Sequence, residues 1–358
     1  MLRLGSRGSQ LALFQARLVA QRVTEAGGPQ CEIVIIKTSG DLLATAPLSE
    51  IGGKRLFVKE IEDALLSGNV DIAVHSSKDM PAVLPEGLII GAVLPREDPA
   101  DALVVSEKGS GIPFSPIILE KGIPDPFSGR IGTGSVRRIA QLRRLFPNAI
   151  FENVRGNLDT RLRKLDAGDY DLLVLAAAGL RRLGFASRIS MTLPLDVCVP
   201  APGQGIIAIE TRAGDASARQ AVAAVNDAEA AAALDAERAL VVALGGGCQM
   251  PIGGVAVATG PSALELSAIV ASLDGTRAIR YKKVGTKTNA VALGRQVAEY
   301  LLKAGADQIL AESRIPNPAL RPFDELRVVP SPAEGRQAQG APSERSESRG
   351  EPRQEPDH

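Results

Sequence analysis

Tryptophan is absent from this chain, and all aromatic residues together make up only 3% of it. Proteins that stack nucleobases need aromatic faces, so a single-strand nucleic-acid binder is a poor fit. Charge of one sign is also missing, because 41 basic residues face 41 acidic ones. That balance argues against a general nucleic-acid or membrane-surface binder. Cysteine is scarce: Cys31, Cys198 and Cys248 are scattered and odd in number. They form neither a disulfide framework nor a CxxC metal site. Reduced thiols, a cytoplasmic location and no metal are expected. No apolar run reaches the roughly 20 residues a bilayer requires. Met1 to Gly5 leads straight into a strand pattern without a signal-peptide core. Neither nucleic acid nor membrane is expected as a partner.

What is present is a chain of 358 residues, 45% of them hydrophobic, enough for two or three domains with cores of their own. The first stretch alternates strands (Leu2–Gly5, Glu32–Lys37, Asp71–His75) with helices (Gln10 to about Ala26, Lys59–Leu66). That order predicts parallel pairing with right-handed crossovers. The pattern restarts after Pro95 and runs to the apolar strand Asp171–Ala176. Between them, Ser106–Gly129 is rich in Pro and Gly and reads as a surface excursion. A third unit begins with an Ala-rich helix from Asp227 to Leu244. Strands near Val255–Ala258, Leu264–Ser272 and Ile279–Val284 follow, with a turn at Asp274-Gly275. A last helix, Asn289 to Lys303, carries Val291, Leu293, Val297 and Leu301 on one face. From about Pro330 almost nothing can be buried, and disorder is expected. The coarse result is two doubly wound α/β units plus a small α+β unit, with ligands expected beyond the strand ends.

Three places could carry chemistry. Strand Asp71–His75 runs into Ser76-Ser77-Lys78-Asp79, where a doubly wound sheet presents its ligands. Asp79 either stabilises a cation formed during reaction or caps a turn, and His75 reads as a buried structural residue. Next, Ile131-Gly132-Thr133-Gly134-Ser135-Val136-Arg137-Arg138 is a strand, a small-residue turn and a helix start, which together form an anion site. Arg137 and Arg138 oppose the helix dipole there, so something negative must compensate them. Arg155, Arg161 and Arg182 follow strand ends or glycines nearby, whereas Arg143, Arg144 and Arg163 read as solvated. Because arginine grips carboxylate in a bidentate fork, the cluster implies a ligand with several carboxylates. Finally, Gly245-Gly246-Gly247 offers Cys248 on an adaptable loop, either as a nucleophile for covalent attachment or as an inert turn residue.

In order along the chain, these segments resemble the porphobilinogen deaminase family: Ser6-Arg7-Gly8-Ser9 with Gln15; Gly52-Gly53-Lys54; His75 to Asp79; Gly132 to Arg138; Arg155-Gly156-Asn157 with Arg161; Ala178-Gly179-Leu180 with Arg182; Gly203-Gln204-Gly205; and Gly246-Gly247-Cys248-Gln249. The match covers about residues 2 to 315. It implies two α/β domains of the type II periplasmic-binding-protein kind plus a small α+β C-terminal domain. Their expected spans are 1–95 with a return segment at about 206–222, 99–200, and 227–328, followed by a tail at 330–358. The resemblance also implies a dipyrromethane cofactor joined by a thioether to Cys248, with Asp79 as the catalytic carboxylate that assists loss of ammonia and stabilises an azafulvenium cation. Arg137, Arg138, Arg155, Lys78, Ser135 and Thr133 would hold the cofactor. Arg7, Ser9, Gln15, Ser76, Arg161, Arg182, Gln204 and Lys54 would bind porphobilinogen and the growing chain. Leu42–Phe57 resembles a mobile loop over the site, and a monomer is expected.

The implied product is hydroxymethylbilane, built from four porphobilinogens. Each added pyrrole brings two carboxylates, which explains the arginine excess. Three positions depart from the family's pattern: Gln10 for Pro, Arg55 for Gly, and Gly134 for Ser. The rival reading is a non-catalytic polycarboxylate-binding protein, which would leave Cys248 and the third domain without a role.

Overall fold

In the computed structural model, residues 1–39, 58–106, 124–247 and 249–314 are described. The 42–57 loop with Lys54 and Arg55, most of the 106–129 excursion, Cys248 and the tail lie outside them.

The first α/β domain is a sheet of β1 (Leu2–Ser6), β2 (Cys31–Ile35), β3 (Ile72–Ser76), β4 (Leu88–Val93) and β10 (Ile207–Arg212), in the order β2-β1-β3-β10-β4. Helix α1 (Gln10–Glu25) starts where the Ser9 hydroxyl accepts from the Ala12 N–H. Its Ala16, Val19 and Val23 pack on Leu2, Leu4 and Ile72 of the sheet. Helix α2 (Lys59–Leu66) buries Ile61 and Leu65 beside Val70 and Ala73.

The second domain repeats this plan. Strands β5 (Asp101–Val105), β6 (Arg130–Gly132), β7 (Ile150–Glu152), β8 (Leu172–Ala176) and β9 (Met191–Thr192) lie in the order β7-β6-β8-β5-β9. Its helices are α3 (Val136–Leu142), α4 (Leu158–Asp166) and α5 (Ala177–Arg182).

The expected parallel pairing holds for β1 with β2 and β3, and recurs for β6 with β7 and β8, but one further strand in each sheet runs the other way. β10 runs antiparallel to β3 and β4, and β5 runs antiparallel to β8 and β9. The reason is connectivity. Each of these strands arrives from the other domain and enters its sheet from the opposite end. The same sheet plan is thereby formed twice, joined by two crossovers at residues 94–100 and 193–206.

After α6 (Ala216–Ala223) comes the C-terminal α+β domain. Helix α7 (Ala228–Ala243), capped by the Asp227 side chain on Ala230 N–H, and α8 (Ala290–Lys303) pack on one face of an antiparallel sheet. That sheet is β11 (Ile252–Ala258), β12 (Ala263–Ala271) and β13 (Ala278–Thr286). Helix α9 (Ala306–Arg314) adds Ile309 and Leu310 to the same core. Val291 is exposed, contrary to expectation. The buried stripe of α8 is Ala290, Leu293, Gly294, Val297, Ala298 and Leu301, the i, i+3, i+4 spacing of a helix lying flat on a sheet.

Candidate active site

At the end of β3 the chain turns through a 3₁₀ segment, Ser77–Asp79, which leaves Asp79 exposed and Lys78 half-buried. The Lys78 ammonium donates to Gln204 Oε1 at 3.2 Å, and Gln204 Nε2 donates to Asp101 Oδ1 at 2.9 Å. Gln204 belongs to one crossover and Asp101 opens β5 at the end of the other. A single hydrogen-bonded path therefore runs from the first domain into the second.

Asp101 is fully buried and gathers both arginines of the α3 start. Arg138 Nε and Nη2 donate to its Oδ1 at 2.9 and 2.8 Å, and Arg137 Nη1 donates to its Oδ2 at 2.7 Å. The negative partner that Arg137 and Arg138 require is therefore supplied first by the protein. One carboxylate does not neutralise two guanidiniums, and with Lys78 the pocket wall stays positive. The electrostatics follow. Burial alone would raise the Asp101 carboxyl, but Arg137 and Arg138 hold it far below the usual carboxylate range. Burial pushes the Lys78 ammonium down to about 8, a shift that Asp79 opposes and Arg138 reinforces.

Arg138 is committed further, through Nη1 to Val174 O at 2.9 Å. Arg137 also donates Nη1 to Val199 O at 2.8 Å, yet its Nε is buried with no hydrogen-bond partner among the described residues. The same holds for the Ser77 hydroxyl. Both residues line an open pocket whose wall also includes Lys78, Ser135, Gly247 and Met250. Two unsatisfied buried donors beside surplus positive charge suit a carboxylate-bearing ligand. Gly247 and Met250 lie on either side of position 248 in the sequence.

The other expected residues fall into place as follows. Asp79 lies within electrostatic reach of Arg161, whose guanidinium is lowered by burial and by Arg138 and raised again by Asp79. Arg161 also holds Gly156 O at 2.8 Å. Gln15 is buried and exchanges hydrogen bonds with Ser76, at 2.8 and 3.1 Å. Thr133 is buried, accepting from Ser135 N–H at 3.3 Å, and the Ser135 hydroxyl caps α3 by accepting from Arg138 N–H. Arg182 donates to Gly205 O at 2.7 Å, on the crossover itself. Ser9 is spent on its helix cap, while Arg7 and Arg155 stand half-buried at the ends of β1 and β7. His75 is buried against Glu210 at 3.1 Å, a structural pairing. Arg143 does not lie on a purely solvated face. It donates to Leu273 O at 3.1 Å, tying the end of α3 to the turn between β12 and β13.

Sequence reasoning missed Asp101, Ser77 and Cys198. The signal for Asp101 was a carboxylate directly ahead of an apolar strand, but only the strand order shows that this strand lies beside β8 and under α3. Cys198 is buried against Asp101 and Arg137. Burial, with Asp101, pushes its thiol up to about 12, and burial also raises Cys31.

The family model described as porphobilinogen deaminase, dipyromethane cofactor binding domain, matches residues 2–220, and the family's C-terminal domain matches residues 231–303. The chain belongs to the porphobilinogen deaminase family. It is 46% identical over 315 residues to the porphobilinogen deaminase of Syntrophobacter fumaroxidans, covering 87% of this chain and 97% of that one. With the Moorella thermoacetica porphobilinogen deaminase it shares 46% identity over 312 residues, covering 87% and 96%. Among solved structures it is similar to a periplasmic substrate-binding protein of an ABC transporter from Coxiella burnetii, with TM-score 0.37, 14% identity and coverage of 63% and 92%. The chain is thus a deaminase-family enzyme, a transferase of tetrapyrrole biosynthesis, and the porphobilinogen deaminases it matches give the non-catalytic binding-protein reading no support. Residues 2–220, which span both α/β domains, form its dipyrromethane-binding region. Among the described residues, no helix is long and apolar enough to cross a membrane.

Proposed function

We propose that this deaminase joins four porphobilinogens into hydroxymethylbilane at the pocket between Lys78, Arg137 and the 247–250 loop, with dipyrromethane attached through Cys248. The observation that carries the reading is the pair of unsatisfied buried donors, Arg137 Nε and Ser77 Oγ, on residues of a positively charged pocket that Gly247 and Met250 also line. Dipyrromethane would supply the anchored primer on which the chain is built. Arg137, Arg138, Arg155, Lys78, Ser135 and Thr133 would hold its carboxylates. Cys31 and Cys198, both held as thiols, are poor competitors for attachment.

When the C–N bond of porphobilinogen's aminomethyl group breaks, ammonia leaves and a cation forms next to the pyrrole N–H. The exposed Asp79 carboxylate, on a short turn fixed at the end of β3, stabilises that cation until a new C–C bond forms and the capturing ring releases a proton. Arg161, within electrostatic reach of Asp79, would orient the incoming carboxylates together with Arg7, Arg182, Ser9, Gln15, Ser76, Gln204 and Lys54. The enzyme acts as a cytoplasmic monomer, and its domains follow the spans 1–95 with 206–222, 99–200 and 227–328.

Attachment and catalysis are separable. Cys248→Ser should fold but weigh its bare sequence mass, lacking the two linked pyrroles that the parent carries. Asp79→Asn should keep them and turn over on the order of 10²–10³ times more slowly. A Cys248→Ser protein that still carries the pyrroles would overturn the attachment site. An Asp79→Asn enzyme within threefold of the parent would remove Asp79 from the mechanism.

A further inference from the structure

Asp101 receives more donors than any role as a simple ion-pair partner requires. Its Oδ1 accepts from Arg138 Nε, Arg138 Nη2 and Gln204 Nε2, and its Oδ2 accepts from Arg137 Nη1 and, at 3.5 Å, from the Cys198 thiol. These donors come from α3, from the 193–206 crossover and, through Gln204, from Lys78 at the end of β3. The carboxylate is at 0% exposure, so solvent screens none of these contacts. It also divides the labour of the two arginines. Arg138 spends Nε and Nη2 on Asp101 and Nη1 on Val174 O, whereas Arg137 gives up Nη1 alone and keeps its buried Nε unsatisfied beside the pocket.

We propose that Asp101 is a positioning residue: its carboxylate fixes the Arg137 guanidinium in the wall of the dipyrromethane pocket, and through Gln204 it sets Lys78 of the other domain in the same frame. Arg137 lies in the first turn of α3, where the helix dipole repels it. Without the Asp101 carboxylate, Nη1 keeps only the uncharged Val199 carbonyl and Cys198 sulfur against that repulsion, and each donor left to reorder costs the ligand conformational entropy. Asp101 itself touches no ligand and acts through the residues it holds. The proposal rests on the reading that this pocket holds dipyrromethane, and its test keeps the two apart.

Full-length Asp101→Asn, Asp101→Glu, Arg137→Leu and Glu210→Gln are each purified as folded protein. The fraction carrying the covalent dipyrromethane is read by intact mass, beside the melting temperature. Glu210 is the comparator because it is an equally buried carboxylate, paired with His75 and outside the pocket. Asp101→Asn should lose at least fivefold in occupancy, as Arg137→Leu does, while Glu210→Gln melts lower yet stays loaded. Should Asp101→Asn fail to fold, Asp101→Glu decides: it keeps the charge but displaces it by a methylene, so occupancy should fall at least threefold with melting within a few degrees of the parent. Parent-level occupancy in the folded Asp101 variant would overturn the positioning role. So would an equal loss in Glu210→Gln, since loading would then merely follow stability. Full loading of Arg137→Leu would instead overturn the reading of the pocket.

Discussion

Lys78 shows how one residue can cost stability and serve binding. Burial takes its ammonium from the ordinary 10.5 down to about 8, so the folded state gives up the proton before the unfolded chain does. Below about pH 8 both states carry it, and the cost of the buried charge is present in full. Between about 8 and 10.5 only the unfolded chain holds the proton, so that cost is relieved and stability rises with pH. Binding runs the opposite way, because the carboxylates of pyrroles need the charged form, and affinity should fall as pH passes 8. The comparison is cleanest without the cofactor, in a Cys248→Ser background with and without Lys78→Met. From pH 7 to pH 10 the lysine protein should gain on the methionine protein by about 1–3 kcal/mol in unfolding free energy. A difference that stays flat with pH in denaturant titrations would show that Lys78 is not the titrating group.

Among the elements, α7 and α8 show what a single missing side chain permits. Gly294 lies on the buried stripe of α8, where an added Cβ would overlap the Ala236 carbonyl of α7 and crowd Ala239 Cβ at 2.8 Å. Because the obstacle is backbone, the helices must separate rather than a side chain turn aside. Gly294→Ala should therefore destabilise the protein by about 1–3 kcal/mol despite alanine's better helix propensity. Chemical denaturation would show it, and an unchanged or raised midpoint would mean the two helices pack less closely than described.

The same pair shows where the sequence was readable. The apolar spacing of α8 identified the helix, yet Val291 was assigned to its buried face, since periodicity cannot weigh a Gly that lets a neighbouring helix approach. The Arg137-Arg138 pair announced a missing negative charge, but its first answer, Asp101, comes from a strand whose position depends on a chain crossing between domains. Likewise β5 is legible only as an apolar strand and β10 only as part of a return segment that the resemblance implies, and only the crossovers explain why they run antiparallel. Asp79, the α3 anion turn and the arginines could be located because their chemistry is local to a strand end. Which arginine is committed to the protein and which keeps a buried donor unpaired could not, because that depends on contacts between residues 36 or more positions apart.

At the scale of the molecule, the two crossovers and the C-terminal domain meet at one carboxylate, Glu237 of α7. It is fully buried and accepts from Arg96 Nη1 at 2.6 Å, from Gly203 N–H at 2.6 Å and from Ala256 N–H at 2.7 Å. Arg96 lies on the first crossover and also donates Nε to Gln204 O on the second, at 2.9 Å. The second crossover can come this close because Gly203 and Gly205 take φ of 76° and 89°, a region closed to most side chains. Glu237 thus ties the C-terminal domain to the strands that join the other two. Glutamine in its place keeps the shape but removes the charge opposite Arg96 and turns its amide NH2 toward one of the two backbone N–H groups, which bind different oxygens. Breaking such a buried pair from one side costs about 3–5 kcal/mol. Because the lost contacts are those between domains, each domain's own core should survive. Glu237→Gln should therefore lower the first melting transition and split unfolding, with the C-terminal domain separating from the α/β pair in calorimetry. A single transition at the parent's melting temperature would mean that the sheets and helices of the three domains hold together without this junction.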